Sequence, residues 1–299
     1  MKTNIISVLL FFITLTSTLY SQKITERYKD YGDLYILEIA SAPFPHHERM
    51  EGHNYKNQHY SFLEHYNDSS VAVFIPNEFK QTSLINIVVY FHGWNNNIDT
   101  ACSKFNLIEQ FSESNKNAIF IFPEGPRNSP DSFGGKLEEK NGFQNLISDI
   151  LNILSENGTL SSTNIGNIIL AGHSGAYRVI SFCLMHGGLT PNISDVILFD
   201  ALYWNTERFI NWIENYNGRF INIYTDNGGT KKETQNMMKY FDTKGLKYLS
   251  VEEVELKSED LVNNRLILIH SDLSHSEVIS KRDQLQKFLG TSKLPINKR

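Results

Sequence analysis

The chain has 299 residues, 40% of them hydrophobic, and a formal net charge of -5. That length and apolarity suffice for a sizeable core, and α/β folds of this size are built as one domain, so one domain over 22–299 is expected. The negative charge argues against a nucleic-acid partner, whose binding surface is basic, and the charges are spread with no acidic or basic tail.

The first segment differs in kind from the rest. Lys2 precedes an apolar run over 5–15 and a short polar stretch over 16–22. This is the layout of a signal peptide over 1–21, cleaved near Ser21, and the run is too short to span a bilayer. The expected location is therefore secreted or periplasmic, with no membrane attachment after cleavage. No later stretch approaches the 18 or so consecutive apolar residues of a membrane helix.

From residue 33 onward, β-rich apolar runs alternate with helix-like spacing, the pattern of an α/β protein with a mainly parallel sheet. Strands are predicted at 34–39, 70–75, 85–91, 118–122, 167–171, 195–199, 220–224 and 265–270. Several are continuously apolar, as strands covered on both faces are. Helices are predicted at 101–114, 143–155, 177–186, 206–215, 232–243 and 277–289. The stretch 43–68, rich in His, Asn and Tyr, reads as loop.

Between the fifth strand and the helix after it stands Gly172-His173-Ser174-Gly175-Ala176. In a Gly-x-Ser-x-Gly nucleophile elbow, small residues flank a strained turn that lifts the serine clear of the sheet. Here alanine takes the last place. Two further stretches stand in register with it: Val88-Val89-Tyr90-Phe91-His92-Gly93-Trp94, and Ile269-His270-Ser271-Asp272-Leu273-Ser274-His275. On these three stretches the region 70–285 resembles the α/β-hydrolase superfamily, closest to secreted esterases. The resemblance implies an α/β-hydrolase fold, a mostly parallel sheet of about eight strands with helices on both faces, and a nucleophile, acid, histidine order along the chain.

A serine hydroxyl needs a neighbouring base to remove its proton as it attacks. His275, in a loop after the last strand, is the candidate base; His270, at the end of that strand, is the competitor. Two carboxylates compete to orient it. Asp226 follows the seventh strand, the usual place in the superfamily, and is preferred; Asp200 ends the sixth, where it could instead pair with Arg178, and Asp272 comes third. The oxyanion of acyl transfer requires preorganised amides, expected from Gly175 after the nucleophile and from Gly93 or Trp94 after the third strand.

The long segment 123–135 reads as a flexible loop bordering the site, and Phe133, Tyr203 and Trp204, with Trp94, are candidates for an apolar substrate wall. Only about 20 residues separate the sixth and seventh strands, so no large lid domain is expected. The chain lacks a phosphate-binding or dinucleotide motif, so no cofactor is expected. His46, His47, His53, His59 and His65 match no metal-ligand spacing, and no metal is expected either. If the fold is as implied, Cys102 and Cys183 lie on opposite faces of the sheet, too far apart to bond. The expected activity is serine hydrolysis of a small-molecule ester or related acyl bond; a peptidase or lactonase on the same triad and a non-catalytic binding protein are the alternatives.

Overall fold

The computed structural model describes residues 24–297, so the leader expected at 1–21 lies outside the described residues. In chain order the strands are β1 (Gly32–Glu38), β2 (His53–Tyr55), β3 (Gln58–Tyr60), β4 (Ser70–Pro76), β5 (Ile85–Phe91), β6 (Ile119–Pro123), β7 (Ile165–His173), β8 (Ile193–Phe199), β9 (Arg219–Thr225), β10 (Leu249–Glu252) and β11 (Leu266–Ser271). Nine of them form one sheet in the order β1-β4-β6-β5-β7-β8-β9-β11-β10; β2 and β3 pair as a separate hairpin. Within the large sheet β4 alone runs against its neighbours.

Alternation along the central strands builds two cores. Ile87, Val89 and Phe91 of β5, Ile119 and Ile121 of β6, and Ile168 and Leu170 of β7 point to one side. Val88, Tyr90, Phe120, Phe122, Ile169 and Ala171 point to the other. Helices Gly142–Glu156, Tyr177–His186, Thr206–Asn215 and Lys231–Lys244 cover the first side, and Ile98–Phe105, Leu107–Glu113 and Gln284–Gly290 cover the second. Cys183 belongs to the first core and Cys102 to the second; both are buried and unpaired. No helix among the described residues is long and apolar enough to cross a membrane.

Strand order reverses at β5, which lies between β6 and β7. Ligands of open parallel sheets bind at the strand C-termini beside such a reversal, and the His-Gly turn and the serine turn both leave the sheet there.

The expected elements differ from the observed ones at identifiable residues. The single helix predicted over 101–114 is two, broken at Asn106, which adopts φ 51°. Asparagine tolerates this left-handed conformation, and the break lets Phe105 and Leu107 both enter the core. The last helix begins only at Gln284, after Asp283 at φ 51°. β10, a short half-exposed edge strand, lies outside the predicted strands, so the sheet has nine strands rather than eight. The stretch 43–68, read as loop, contains the hairpin β2–β3 and a one-turn helix, Phe62–His65.

A buried ion pair ties the sheet to the C-terminal helix. Arg219 pairs with Asp195 and donates to the carbonyls of Leu261, Phe288 and Thr291. Removing one partner of such a pair leaves an uncompensated buried charge. Asp195→Ala is expected to destabilise the fold by about 3–5 kcal/mol, measured by urea unfolding.

Candidate active site

β7 runs into a one-turn helix, Ser174–Ala176, and then into helix Tyr177–His186. Ser174 sits at the corner with φ 56°, a conformation that disfavours side chains other than Asn and Asp. Steric room at the corner explains the sequence around it. A methyl on Gly172 would lie 2.6 Å from the Ala176 Cβ, so only one of these positions can carry a side chain, and alanine at 176 is tolerated because 172 is glycine. A methyl on Gly93 would come within 2.6 Å of the Ser174 Cβ, which places the His-Gly turn directly against the serine.

His275 lies in the loop after β11, its side chain 34% exposed. Its Nδ1 is 2.7 Å from Oδ2 of Asp200, which follows β8 and is fully buried. Asp200 Oδ2 also accepts from the Thr225 hydroxyl at 2.7 Å, and Oδ1 accepts from the Thr230 hydroxyl and, at 3.3 Å, from the Thr225 amide. Burial by itself would raise the pKa of this carboxyl, but the hydrogen bonds from His275, Thr230 and Thr225 outweigh it and hold Asp200 below the usual aspartate range. Because the folded pKa is depressed, this stabilisation is fully present above the unfolded value of about 3.9 and is lost as the pH falls through the lower folded value. An ionised carboxylate only accepts, so Nδ1 of His275 carries the ring proton and Nε2 is left with a lone pair.

The loop that carries His275 is tied down by Glu253. This buried carboxylate accepts from Ser271 at the end of β11 and from Arg282 and Gln284 beyond the loop. Arg282 also binds Asp272 at 2.7 and 3.2 Å, which accounts for the third candidate acid.

The turn after β5 is equally fixed. His92 Nδ1 donates to the Gly93 carbonyl at 2.7 Å, and its Nε2 takes the Gly125 amide at 3.0 Å with Glu124 Oε1 also at 3.0 Å. In a trans peptide the N–H points opposite to the C=O. Anchoring the Gly93 carbonyl on His92 therefore turns the Trp94 amide the other way. Gly175 lies in the one-turn helix that leads into Tyr177–His186, where backbone amides are free to meet an anion.

Asp226 lies elsewhere. It is exposed at the end of β9, where it binds Lys231 at 2.5 Å and Nε2 of His270 at 3.1 Å, while Nδ1 of His270 meets Glu252 at 2.7 Å. Asp226 and His270 are thus joined to each other, and Arg178 pairs bidentately with Glu138 at 2.7 and 2.8 Å, away from Asp200.

The aromatic candidates divide. Trp94 is exposed, donates from Nε1 to the Ser132 hydroxyl at 2.7 Å and meets Tyr55 of the hairpin edge-on. Trp204 is 72% exposed. Tyr203 is half-buried: its hydroxyl donates to the Gly228 carbonyl, and burial and nearby Asp200 raise its pKa to about 12, with the Ser174 hydroxyl acting the other way. Phe133 is only 3% exposed, clamped between the guanidinium groups of Arg49 and Arg178. It lines, with Pro43, Pro126, Val179 and Gly175, a narrow pocket of about 20 Å³, room for about one water.

The segment 123–135 is pinned rather than flexible. Arg49 binds Asp131 at 2.8 Å, Tyr66 meets Ser129 at 2.7 Å, and His65 donates to the Arg127 carbonyl at 2.7 Å. The His-rich stretch thereby buttresses the pocket wall. His46, His47 and Glu48 bring ligand atoms within 4.8 Å of one another. Both ring nitrogens of His46 are already engaged, with the Glu48 amide at 3.1 Å and Glu139 at 3.0 Å.

Sequence reasoning passes over His173, Thr225, Thr230, Gly228 and Glu253. His173 occupies the variable place of the elbow, and the others act through contacts between segments far apart in the chain; only the apolar run ending in Asp200 hints that a buried carboxylate needs partners.

No family model matches the chain, and no curated protein matches its sequence. Among solved structures, the chain is similar to a feruloyl esterase module from Clostridium thermocellum, with 12% identity over 88% of either chain and a TM-score of 0.52. It is also similar to the fluorophosphonate-binding serine hydrolase F of Staphylococcus aureus, with 11% identity over 87% of this chain and 99% of that one and a TM-score of 0.50. The chain has the α/β-hydrolase fold.

Proposed function

We propose that the protein is a serine esterase in which Ser174, His275 and Asp200 form the catalytic triad. The observation that carries the reading is the 2.7 Å bond from His275 Nδ1 to a buried, ionised Asp200, with His275 held against His173, the residue that precedes a serine at positive φ. Ser174 Oγ attacks the ester carbonyl as its proton passes to His275 Nε2, and the carbonyl electron pair moves onto oxygen. The amides of Gly175 and Trp94 receive that oxyanion. The tetrahedral intermediate expels the alkoxide, which takes the proton from His275. Water, deprotonated by the same nitrogen, then attacks the acyl carbonyl, and the second tetrahedral intermediate expels Ser174 Oγ, which takes the proton back from His275 as the acid leaves.

The solved structures it resembles include a feruloyl esterase and a serine hydrolase that binds fluorophosphonate. Exposed Trp94 lies against Gly175 of the serine turn, and the pocket beside Gly175 is too narrow for a long acyl chain. We therefore assign a small ester substrate, bound largely on the open surface. The leader-like segment 1–21 supports action outside the cytoplasm, and sequencing the N-terminus of protein recovered from the culture medium or periplasm tests it.

A fluorophosphonate probe, with p-nitrophenyl acetate turnover alongside, tests the reading. Wild-type protein is expected to label and turn over, while Ser174→Ala and His275→Ala, folded by thermal melt, do neither. Undiminished labelling of Ser174→Ala, or no labelling of the intact wild type, overturns it.

A further inference from the structure

His173 is the last residue of β7, 6% exposed, with Phe105 edge-on behind its ring at 5.3 Å. Its Nε2 lies 2.8 Å from the carbonyl oxygen of His275. A carbonyl only accepts, so the proton of this neutral ring is on Nε2. The two imidazoles also pack against each other at a tilt, with centroids 4.4 Å apart and planes 32° apart. Burial, with His275 next to it, pushes the His173 pKa down to about 3, so the ring stays uncharged beside its neighbour.

His275 needs such support because it stands in a loop outside any helix or strand. Asp200 holds one edge of its ring, which by itself leaves the ring free to swing about the Nδ1 contact. The bond from His173 fixes the main chain of His275, and the packed ring fixes the ring plane. We propose that His173, in the variable place of the elbow, is a positioning residue that holds His275 in line with Ser174 for proton transfer; this rests on the triad reading above. Because Ser174 directly follows His173 at the end of β7, the strand that presents the nucleophile also sets the position of the base. A neutral ring against His275 also suits the imidazolium formed during attack, which a charged neighbour would oppose.

Three variants separate the hydrogen bond from the ring packing. His173→Phe keeps a ring but no donor, and His173→Asn fits the space with an amide too short to reach the carbonyl. His173→Gln carries an amide to the place of Nε2. A misplacement of about 1 Å in a catalytic group costs on the order of 10²-fold. His173→Phe and His173→Asn are expected to lower kcat for p-nitrophenyl acetate by about 10–100-fold with KM little changed, and to slow fluorophosphonate labelling in parallel. His173→Gln is expected to recover most of that loss. Wild-type kcat in the Asn variant, or a Gln variant no better than the Asn variant, overturns the proposal; the Asn–Gln comparison stands even if the bulkier Phe variant fails to fold. Ser174→Ala run alongside tells the two failures apart. If it still labels, the triad reading falls; if it does not label while every His173 variant matches wild type, only the role of His173 falls.

Discussion

Asp200→Asn is expected to lower kcat by about 10⁴-fold with little change in KM, whereas Asp226→Asn leaves kcat essentially unchanged. The geometry dictates which way the new amide must face. Oδ1 of Asp200 accepts the Thr225 main-chain N–H, a donor that cannot reverse, whereas the threonine hydroxyls can. The NH₂ of the introduced amide would therefore occupy the Oδ2 position and point its hydrogens at His275 Nδ1. That contact selects the tautomer with the proton on Nε2, the nitrogen that must take the serine proton, and the base is lost with the fold intact. Asp226, by contrast, is an exposed partner of Lys231 and His270, and surface pairs of this kind contribute little. Steady-state kinetics of the two variants on one ester decide the matter; a large loss in Asp226→Asn with none in Asp200→Asn would reverse the assignment of the acid.

Strand parity explains why the motif order points to Asp226 while the geometry points to Asp200. β9 pairs with β11 so that Tyr224 stands opposite His270 and Thr225 opposite Ser271. Side chains two apart share a face, so Asp226 follows Tyr224 onto the side of His270 and meets that ring. Asp200 leaves β8 at φ 46°, its amide bound to the Ile223 carbonyl at 2.7 Å, which bends it over the end of β9 toward the loop of His275. Nothing in the local sequence announces that bend. The strands themselves are legible because burial on both faces leaves continuous apolar runs, as in β5 and β6. Ser174 is legible because the steric demand of the corner writes small residues at fixed spacing. The buttress formed by the His-rich stretch is not, because Arg49, His65 and Tyr66 act on residues 62 to 82 positions away in the chain.

Gly228→Ala is expected to cost kcat about 10³-fold, within tenfold of the effect of removing the acid, although one methyl group is all it adds. A Cβ at 228 would lie 1.6 Å from Asp200 Oδ2 and 2.6 Å from the Thr225 hydroxyl. The oxygen it strikes is the one that holds His275. Backbone conformation is not the obstacle, since Gly228 is absent from the positive-φ positions. The carboxylate must rotate away from His275, or the turn over 226–229 must move outward and take with it the Gly228 carbonyl that receives the Tyr203 hydroxyl. Either path separates the acid from the base. Overpacking at such a site costs about 1–3 kcal/mol of stability, so the variant should fold with a lowered melting temperature and still present Ser174. The diagnostic result is a folded Gly228→Ala protein with low kcat and slow phosphonate labelling, in which adding Asp200→Asn lowers kcat little further, because both changes break the same contact. Full additivity of the two losses would show that Gly228 acts on the site by another route.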